Sequence, residues 1–236
     1  MYNHGMPTPA YQIRLCNSCG LRYPLTEGHT FGTRCPICMG DTRLTLRVSR
    51  ELIYEPLHAH SSSDLTVSTG STRRPNPSPF RRGELAVLLD NIRSAWNVGS
   101  IFRSADGFGF AHAYLCGITP TPENEAVIKT SLGAEDSVSW SYHKDAVKLI
   151  KGLKKEGWKI WALEETENAT SISEAQVIRA NKRMVLIAGS EVTGVDPELL
   201  DAADEVFYIP MRGEKKSFNV AMAFSIAAYV LNRDNA

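Results

Sequence analysis

ELAVLLDNIRSAWNVGSIFRSADGFG, residues 84–109, opens the part of the chain where strand and helix patterns alternate. ELAVLLD is a short apolar run closed by an acid, the pattern of a strand buried on both faces of a parallel sheet. In the following VGSIFRSADGF, Ile101, Ala105 and Phe108 recur at helical spacing. A buried strand feeding a helix is the repeating unit of an α/β sheet. The same alternation continues toward the C-terminus. HAYLCGI, WKIWALE, RMVLIAG and EVFYIP read as strands, and EAVIKTSLG, DAVKLIKGLKKEG and SFNVAMAFSIAAYVLNR read as helices. The Lys and Gly residues that end the second of these helices suit a helix C-terminus. The expected fold class is therefore α/β, a mostly parallel sheet with helices on both faces, over residues 83–236. Cys116 sits inside an apolar strand and reads as a small buried hydrophobe.

On the N-terminal side the composition changes twice. Residues 56–82 are rich in Ser, Thr, Pro and Arg and poor in apolar side chains, so they read as a flexible basic linker carrying Arg73, Arg74, Arg81 and Arg82. Residues 11–55 hold four of the five cysteines as two C-x-x-C pairs, Cys16 with Cys19 and Cys35 with Cys38, separated by fifteen residues. Two such pairs supply four thiolates in a tetrahedron, which suits Zn²⁺. The site is closed, so the expectation is a small zinc-ribbon domain with a structural zinc. The metal would supply much of the folding free energy of so short a segment. Gly20 and Gly40 read as the residues that let each knuckle turn back. His29 lies between the pairs and reads as an exposed loop residue. Two disulfides are the alternative, disfavoured in a reducing compartment.

The chain carries no net charge, but the charge is unevenly placed. Residues 1–82 hold ten Arg, no Lys and five acids, about +5, which leaves the remainder about −5. A basic front half suits a polyanionic partner such as RNA, with Arg14, Arg22, Arg34 and Arg43 around the cysteines as the candidate contacts. No apolar run is long enough to cross a membrane, and the N-terminus lacks a secretory pattern. The expected location is the cytoplasm.

Three segments place polar groups where a plain α/β domain has apolar ones: Asn91 to Gly109, Ala188 to Val195, and Ile209 to Ala221. Each follows a predicted strand, so all three are expected on the rim where parallel sheets bind ligands. Jointly they resemble motifs one, two and three of the SpoU branch of the SPOUT RNA methyltransferases. N-x-G-x-I-x-R-x-A-x-x-F-G, G-x-E-x-x-G and I-P-M-x-G-x-x-x-S-[LF]-N-V-[SA] are each met in full. The resemblance covers about 150 residues from Glu84 onward. Phe218 stands where leucine is commoner, and Ser190 where asparagine or alanine often sits.

The resemblance implies a Rossmann-like sheet whose C-terminal part is tucked into a trefoil knot, an exception to the rule that chains avoid knots, and a homodimer whose active site is completed near the subunit interface. It implies S-adenosylmethionine as cofactor, in keeping with the lack of a G-x-G-x-x-G after a strand. It implies methyl transfer to a ribose 2'-hydroxyl of tRNA or rRNA. Carried over residue by residue, the catalytic set is Arg103, Asn97, Glu191, Ser217 and Asn219. Arg103 is the expected stabiliser of the substrate phosphate and the developing oxyanion, since a guanidinium does not readily accept a proton. Glu191 is expected to fix Arg103 or neighbouring loops. Asn97 and Ser217 also fit helix N-caps, and Lys215 and Lys216 fit phosphate contacts. The cofactor shell is Leu163, Gly189, Ile209, Met211, Ser217 and Phe218. Two alternatives stay open: a catalytically silent RNA-binding SPOUT protein, and a SPOUT base methyltransferase. A zinc hydrolase is excluded by the lack of an open H-E-x-x-H set.

Overall fold

The computed structural model describes residues 10–26, 32–48, 85–175, 183–215 and 217–232. The linker 56–82, His29 and Lys216 lie outside the described residues. Near the N-terminus, β1 (Tyr11–Cys16), β2 (Arg22–Thr26) and β3 (Thr42–Val48) form a three-stranded antiparallel sheet in the order β2-β1-β3. Its small core is Tyr11, Ile13 and Leu46 on one side, and Cys16, Leu21, Tyr23 and Cys35 on the other.

The rest is a seven-stranded sheet in which every strand pair is parallel. Its strands are β4 (Leu85–Asp90), β5 (His112–Cys116), β6 (Ser139–His143), β7 (Lys159–Leu163), β8 (Thr170–Ser171), β9 (Met184–Ala188) and β10 (Glu205–Tyr208). They run β6-β5-β4-β9-β7-β10-β8 across the sheet. β4 and β9 are buried at every position, which is why they read as unbroken apolar runs. The chain builds outward from β4 through β5 to β6, then jumps to the far side for β7. The strand direction of the winding thus reverses beside β4, and ligand crevices form at such switch points.

Helices α1 (Ala95–Gly107), α2 (Glu125–Ser131), α3 (Ala134–Ser137), α4 (Ala146–Lys155), α5 (Pro197–Ala202) and α6 (Val220–Asn232) cover the two faces. One face packs α1, α2 and α6 around Val98, Ile101, Phe102, Phe110, Phe224 and Leu231; the other packs α4 and α5 around Val147, Ile150, Leu153 and Leu199. α1 crosses α2 so closely that Gly99 has no room for a side chain against Val127 and Thr130. Among the described residues no helix is long and apolar enough to cross a membrane.

Candidate functional site

At the carboxyl ends of β4, β7, β9 and β10 lies a cleft of about 960 Å³, within the range of small-molecule sites. It is lined by Arg93, Ser94 and Asn97 at the start of α1, by Leu163–Glu165 after β7, by 188–194 after β9, and by Tyr208, Ile209, Met211 and 217–220 after β10. The three polar segments therefore meet on one rim. All six residues of the expected cofactor shell, Leu163, Gly189, Ile209, Met211, Ser217 and Phe218, lie along this cleft.

A chain of hydrogen bonds ties the segments together. The Glu191 carboxylate accepts from the backbone N–H of Arg93 (2.9 Å) and Ser94 (3.1 Å) and from Asn97 Nδ2 (2.8 Å). It thus satisfies donors that a helix start leaves open, and sits where the helix dipole favours an anion. Asn97 Oδ1 in turn accepts from Asn219 Nδ2 (3.0 Å), and Asn219 Oδ1 accepts from the N–H of Ala221 (2.9 Å). Glu191, Asn97 and Asn219, each from a different segment, form one continuous polar line.

This geometry corrects several expectations. The cap of α1 is Ser94, whose Oγ accepts from Asn97 N, so Asn97 is free to point its amide along the rim. Asn219, not Ser217, caps α6; Ser217 is exposed, two residues earlier. Of the two roles expected for Glu191, it takes the second: it fixes the neighbouring loop at the start of α1, not Arg103. Arg103 itself stands exposed on α1, outside the cleft lining, with no side-chain hydrogen bond or ion pair to another described residue. It lies six residues beyond Asn97, about 9 Å along the helix axis.

Three groups went unnoticed in the sequence. Arg93 lines the cleft mouth as a cation, and Tyr208 brings a phenol to its wall. Glu164 follows β7, and its carboxylate accepts from Val195 N (2.9 Å) and Glu165 N (3.2 Å). Burial raises its pKa above the ordinary carboxylate range. Glu164 occupies the space a side chain at Gly194 would fill, and Gly194 has φ +71°, so only glycine serves there. Nothing but an acid at a strand end marks Glu164 in the sequence. That Gly189 abuts the backbone of Gly194 and Val195 explains the other glycine of the segment.

In the small sheet, the sulfur atoms of Cys16, Cys19, Cys35 and Cys38 all lie within 4.8 Å of one another. The four cysteines are free of disulfides, and the Cys16–Cys38 and Cys19–Cys35 sulfur separations, 3.5 Å and 3.6 Å, are far beyond a disulfide bond. They match the roughly 3.8 Å between thiolates on one tetrahedral Zn²⁺. Two tight turns, Gly20 N to Cys16 O and Met39 N to Cys35 O, present the pairs. In the second knuckle the left-handed residue is Met39 (φ 60°), not Gly40; Gly40 is needed instead because a side chain there would meet Ser18 Oγ. Arg22 and Arg14 are not free cations: Arg22 is buried in an ion pair with Asp196, and Arg14 is bonded to Gln12 and Thr42. Cys116 is fully buried, as a small hydrophobe.

Parallel α/β architecture with a polar-lined cleft at the strand ends is that of Rossmann-like ligand-binding domains. Residues 84–229 match the model of the SpoU rRNA Methylase family, and the chain belongs to that family. The tRNA (guanosine(18)-2'-O)-methyltransferase of Thermus thermophilus is 29% identical over 153 residues, 65% of this chain and 76% of that protein. The enzyme of the same name from Escherichia coli is 27% identical over 65% of each chain. Among solved structures, the TrmH/SpoU tRNA modifying enzyme of Aquifex aeolicus superposes with a TM-score of 0.59 at 26% identity, covering 66% of this chain and 77% of that one. The AdoMet-bound rRNA methyltransferase of Sinorhizobium meliloti gives 0.61 at 25% identity, covering 69% and 62%.

Proposed function

We propose that this protein transfers the methyl group of S-adenosylmethionine to a ribose 2'-hydroxyl of tRNA or rRNA. The observation that carries the reading is the Glu191–Asn97–Asn219 line along the cleft rim. It joins the three family segments at one place, beside a cavity of cofactor size. The names of the relatives above point to the same chemistry, and the S. meliloti structure holds this cofactor.

The residues present fit the cofactor. Leu163, Ile209, Met211 and Phe218 offer apolar surface for an adenine, and Gly189 keeps the wall close. Phe218 is 37% exposed, a large apolar side chain turned toward the open cleft. When bound, the sulfonium supplies an electrophilic methyl group. The chain must then hold a ribose hydroxyl about 3 Å from that carbon and in line with it. Asn97 is held through both amide atoms, so it is rigidly placed to orient a ribose or phosphate at the rim. Ser217 and Asn219 complete that edge, and Arg93 offers a cation for a phosphate.

Arg103 supplies the remaining charge from a second copy. It does not line the cleft of its own chain, and it shares an exposed flank of α1 with Trp96 and Ser100. Two copies joined across this flank place one copy's Arg103 toward the other's cleft. The active enzyme is then a homodimer, with the C-terminal half knotted as in the family, a structural zinc in the four-cysteine site and a cytoplasmic location. The ribbon, linker and catalytic part are read as 11–55, 56–82 and 83–236.

Calorimetric titration with S-adenosylmethionine and methyl transfer to bulk tRNA and rRNA test the reading. Nucleoside analysis should show 2'-O-methylated ribose; a methylated base would instead identify a base methyltransferase, and binding without transfer a silent RNA-binding protein. Arg103→Ala should keep cofactor affinity within a few fold and lower transfer at least ~10²-fold, as loss of transition-state charge stabilisation does. Near-normal transfer by that variant would remove Arg103 from the mechanism.

A further inference from the structure

The cysteine-bearing sheet reaches the cleft wall through a buried ion pair. Arg22 is the residue that follows Leu21, and Leu21 is fully buried against Cys16, Cys35 and Ile118. The backbone ties Cys16 N to Leu21 O (2.9 Å) and Arg22 N to Lys144 O (2.9 Å), so the knuckle sets where Arg22 begins. The guanidinium then reaches 174 positions along the chain. Its Nε donates to Asp196 Oδ2 (2.8 Å), and its Nη2 donates to Asp196 Oδ1 (3.1 Å) and Glu198 Oε1 (2.9 Å). Arg22 and Asp196 keep only 7% and 2% of their side chains exposed.

Asp196 ends the segment that walls the cleft. Its N–H donates to Asp90 Oδ2 (3.0 Å), and its Oδ1 caps α5 through Glu198 N (3.0 Å). One residue earlier, Val195 N is held by Glu164, and Ser190 and Gly194 exchange backbone hydrogen bonds across the loop. That loop carries Glu191. Two carboxylates, Asp90 and Asp196, thus meet in the interior with Arg22 as the cation that compensates them. Removing the guanidinium leaves buried acids unpaired, and the arrangement that answers this is movement of the 189–196 segment toward water.

We propose that Arg22 is a positioning residue for the cofactor loop, so that S-adenosylmethionine affinity depends on the metal-bound state of Cys16, Cys19, Cys35 and Cys38. The inference rests on the reading of the cleft as the cofactor site. The ribbon is then a working part of that site, beyond any contact it makes with RNA. A bidentate guanidinium is required, because a lysine reaches one carboxylate oxygen at a time.

The test uses the full chain with its zinc. S-adenosylmethionine affinity is measured by calorimetry for wild type, Arg22→Met and Arg22→Lys, before and after zinc is withdrawn with a chelator. Wild type binds; its failure to do so would sink the reading of the cleft, and this inference with it. Given binding, Arg22→Met should weaken affinity about tenfold and Arg22→Lys about threefold, as loss of one and partial loss of a shared buried pair do. Zinc withdrawal should weaken wild type about tenfold but Arg22→Met by less than twofold, because both act through one contact. By reciprocity, S-adenosylmethionine should raise the chelator concentration needed to extract half the zinc from wild type by a similar factor, and not from Arg22→Met. Zinc content and melting are recorded for each variant. Affinity within twofold of wild type in a folded, zinc-loaded Arg22→Met protein overturns the proposal, as do losses that simply multiply. Where Arg22→Met does not fold, wild-type affinity in Arg22→Lys overturns it.

Discussion

At the scale of single residues, the family patterns mix packing with chemistry. In the first segment Gly99, Ile101 and Ala105 serve the contact of α1 with its neighbours, and Gly109 turns the chain at φ +73°. Asn97 and Arg103 are the residues there proposed to act on the substrate. The second segment divides likewise: Glu191 joins the polar line of the rim, while Gly189 and Gly194 make space. Gly194→Ala tests the division. A side chain there meets Glu164 and must adopt a left-handed backbone, which costs about 1–2 kcal/mol before any clash. Displacing Glu164 also frees Val195 N. Cofactor affinity should fall at least ~10-fold, with a stability loss of about 2–3 kcal/mol in urea. Unchanged affinity in titration would show that the loop's shape does not matter to the ligand. The sequence showed which residues are special but misplaced the caps. Ser94 and Asn97, like Ser217 and Asn219, lie two or three residues apart, and which one caps depends on where the helix starts, the least legible feature of a sequence.

At the scale of elements, burial decides what could be read. β4 and β9 are enclosed on both faces and announce themselves as apolar runs. β6 does not, because SWSYH is an edge strand, partly exposed throughout. Trp140 and Tyr142 pack on the core, while Ser141 and His143 face a polar patch with His112 and Tyr114. β8, with two residues, and the short helices α3 and α5 are below the length at which periodicity shows. The polar patch has a measurable consequence. Ser141 Oγ lies 2.9 Å from His112 Nε2 and 2.8 Å from His143 Nε2, so the two imidazoles share one hydroxyl. Burial, and then His143, push the His112 pKa down from 6.5 to about 4. The unfolded chain therefore takes up a proton at higher pH than the folded one does. The stability this neutral imidazole contributes is full above pH 6.5 and is lost as pH falls through about 4, by at most ~3 kcal/mol. Denaturant melts between pH 7 and 4 should show this fall in wild type and a shallower one in His112→Phe. Parallel slopes would remove His112 as its source.

At the scale of the whole molecule, the Arg22–Asp196 contact was invisible in the sequence, because nothing local links an arginine beside a C-x-x-C pair to an aspartate 174 residues away. The proposed pairing of copies is closer to legible. α6, VAMAFSIAAYVLN, has no charged residue. A helix apolar on all sides is one that becomes buried on all sides. In one chain only half of it is: Ala221, Phe224, Ala227, Ala228 and Leu231 pack inward, while Met222 is 57% and Tyr229 63% exposed. Trp96 on α1 is also a large apolar side chain left 60% exposed. The proposed homodimer would cover these side chains with two-fold symmetry, and would give Arg103, which lies outside the cleft of its own chain, another cleft to serve. Light scattering should give twice the chain mass of 26.1 kDa for wild type, and close to a single mass for Met222→Asp, with methyl transfer lost. Mixing settles which cleft Arg103 serves. Arg103→Ala and Glu191→Ala should each be nearly inactive alone. If Arg103 acts on the partner's cleft, re-associated mixed dimers hold one intact cleft facing one intact arginine, and an equal mixture recovers about a quarter of the wild-type rate. If Arg103 acts within its own chain, every site in the mixture lacks one of the two groups and no rate returns.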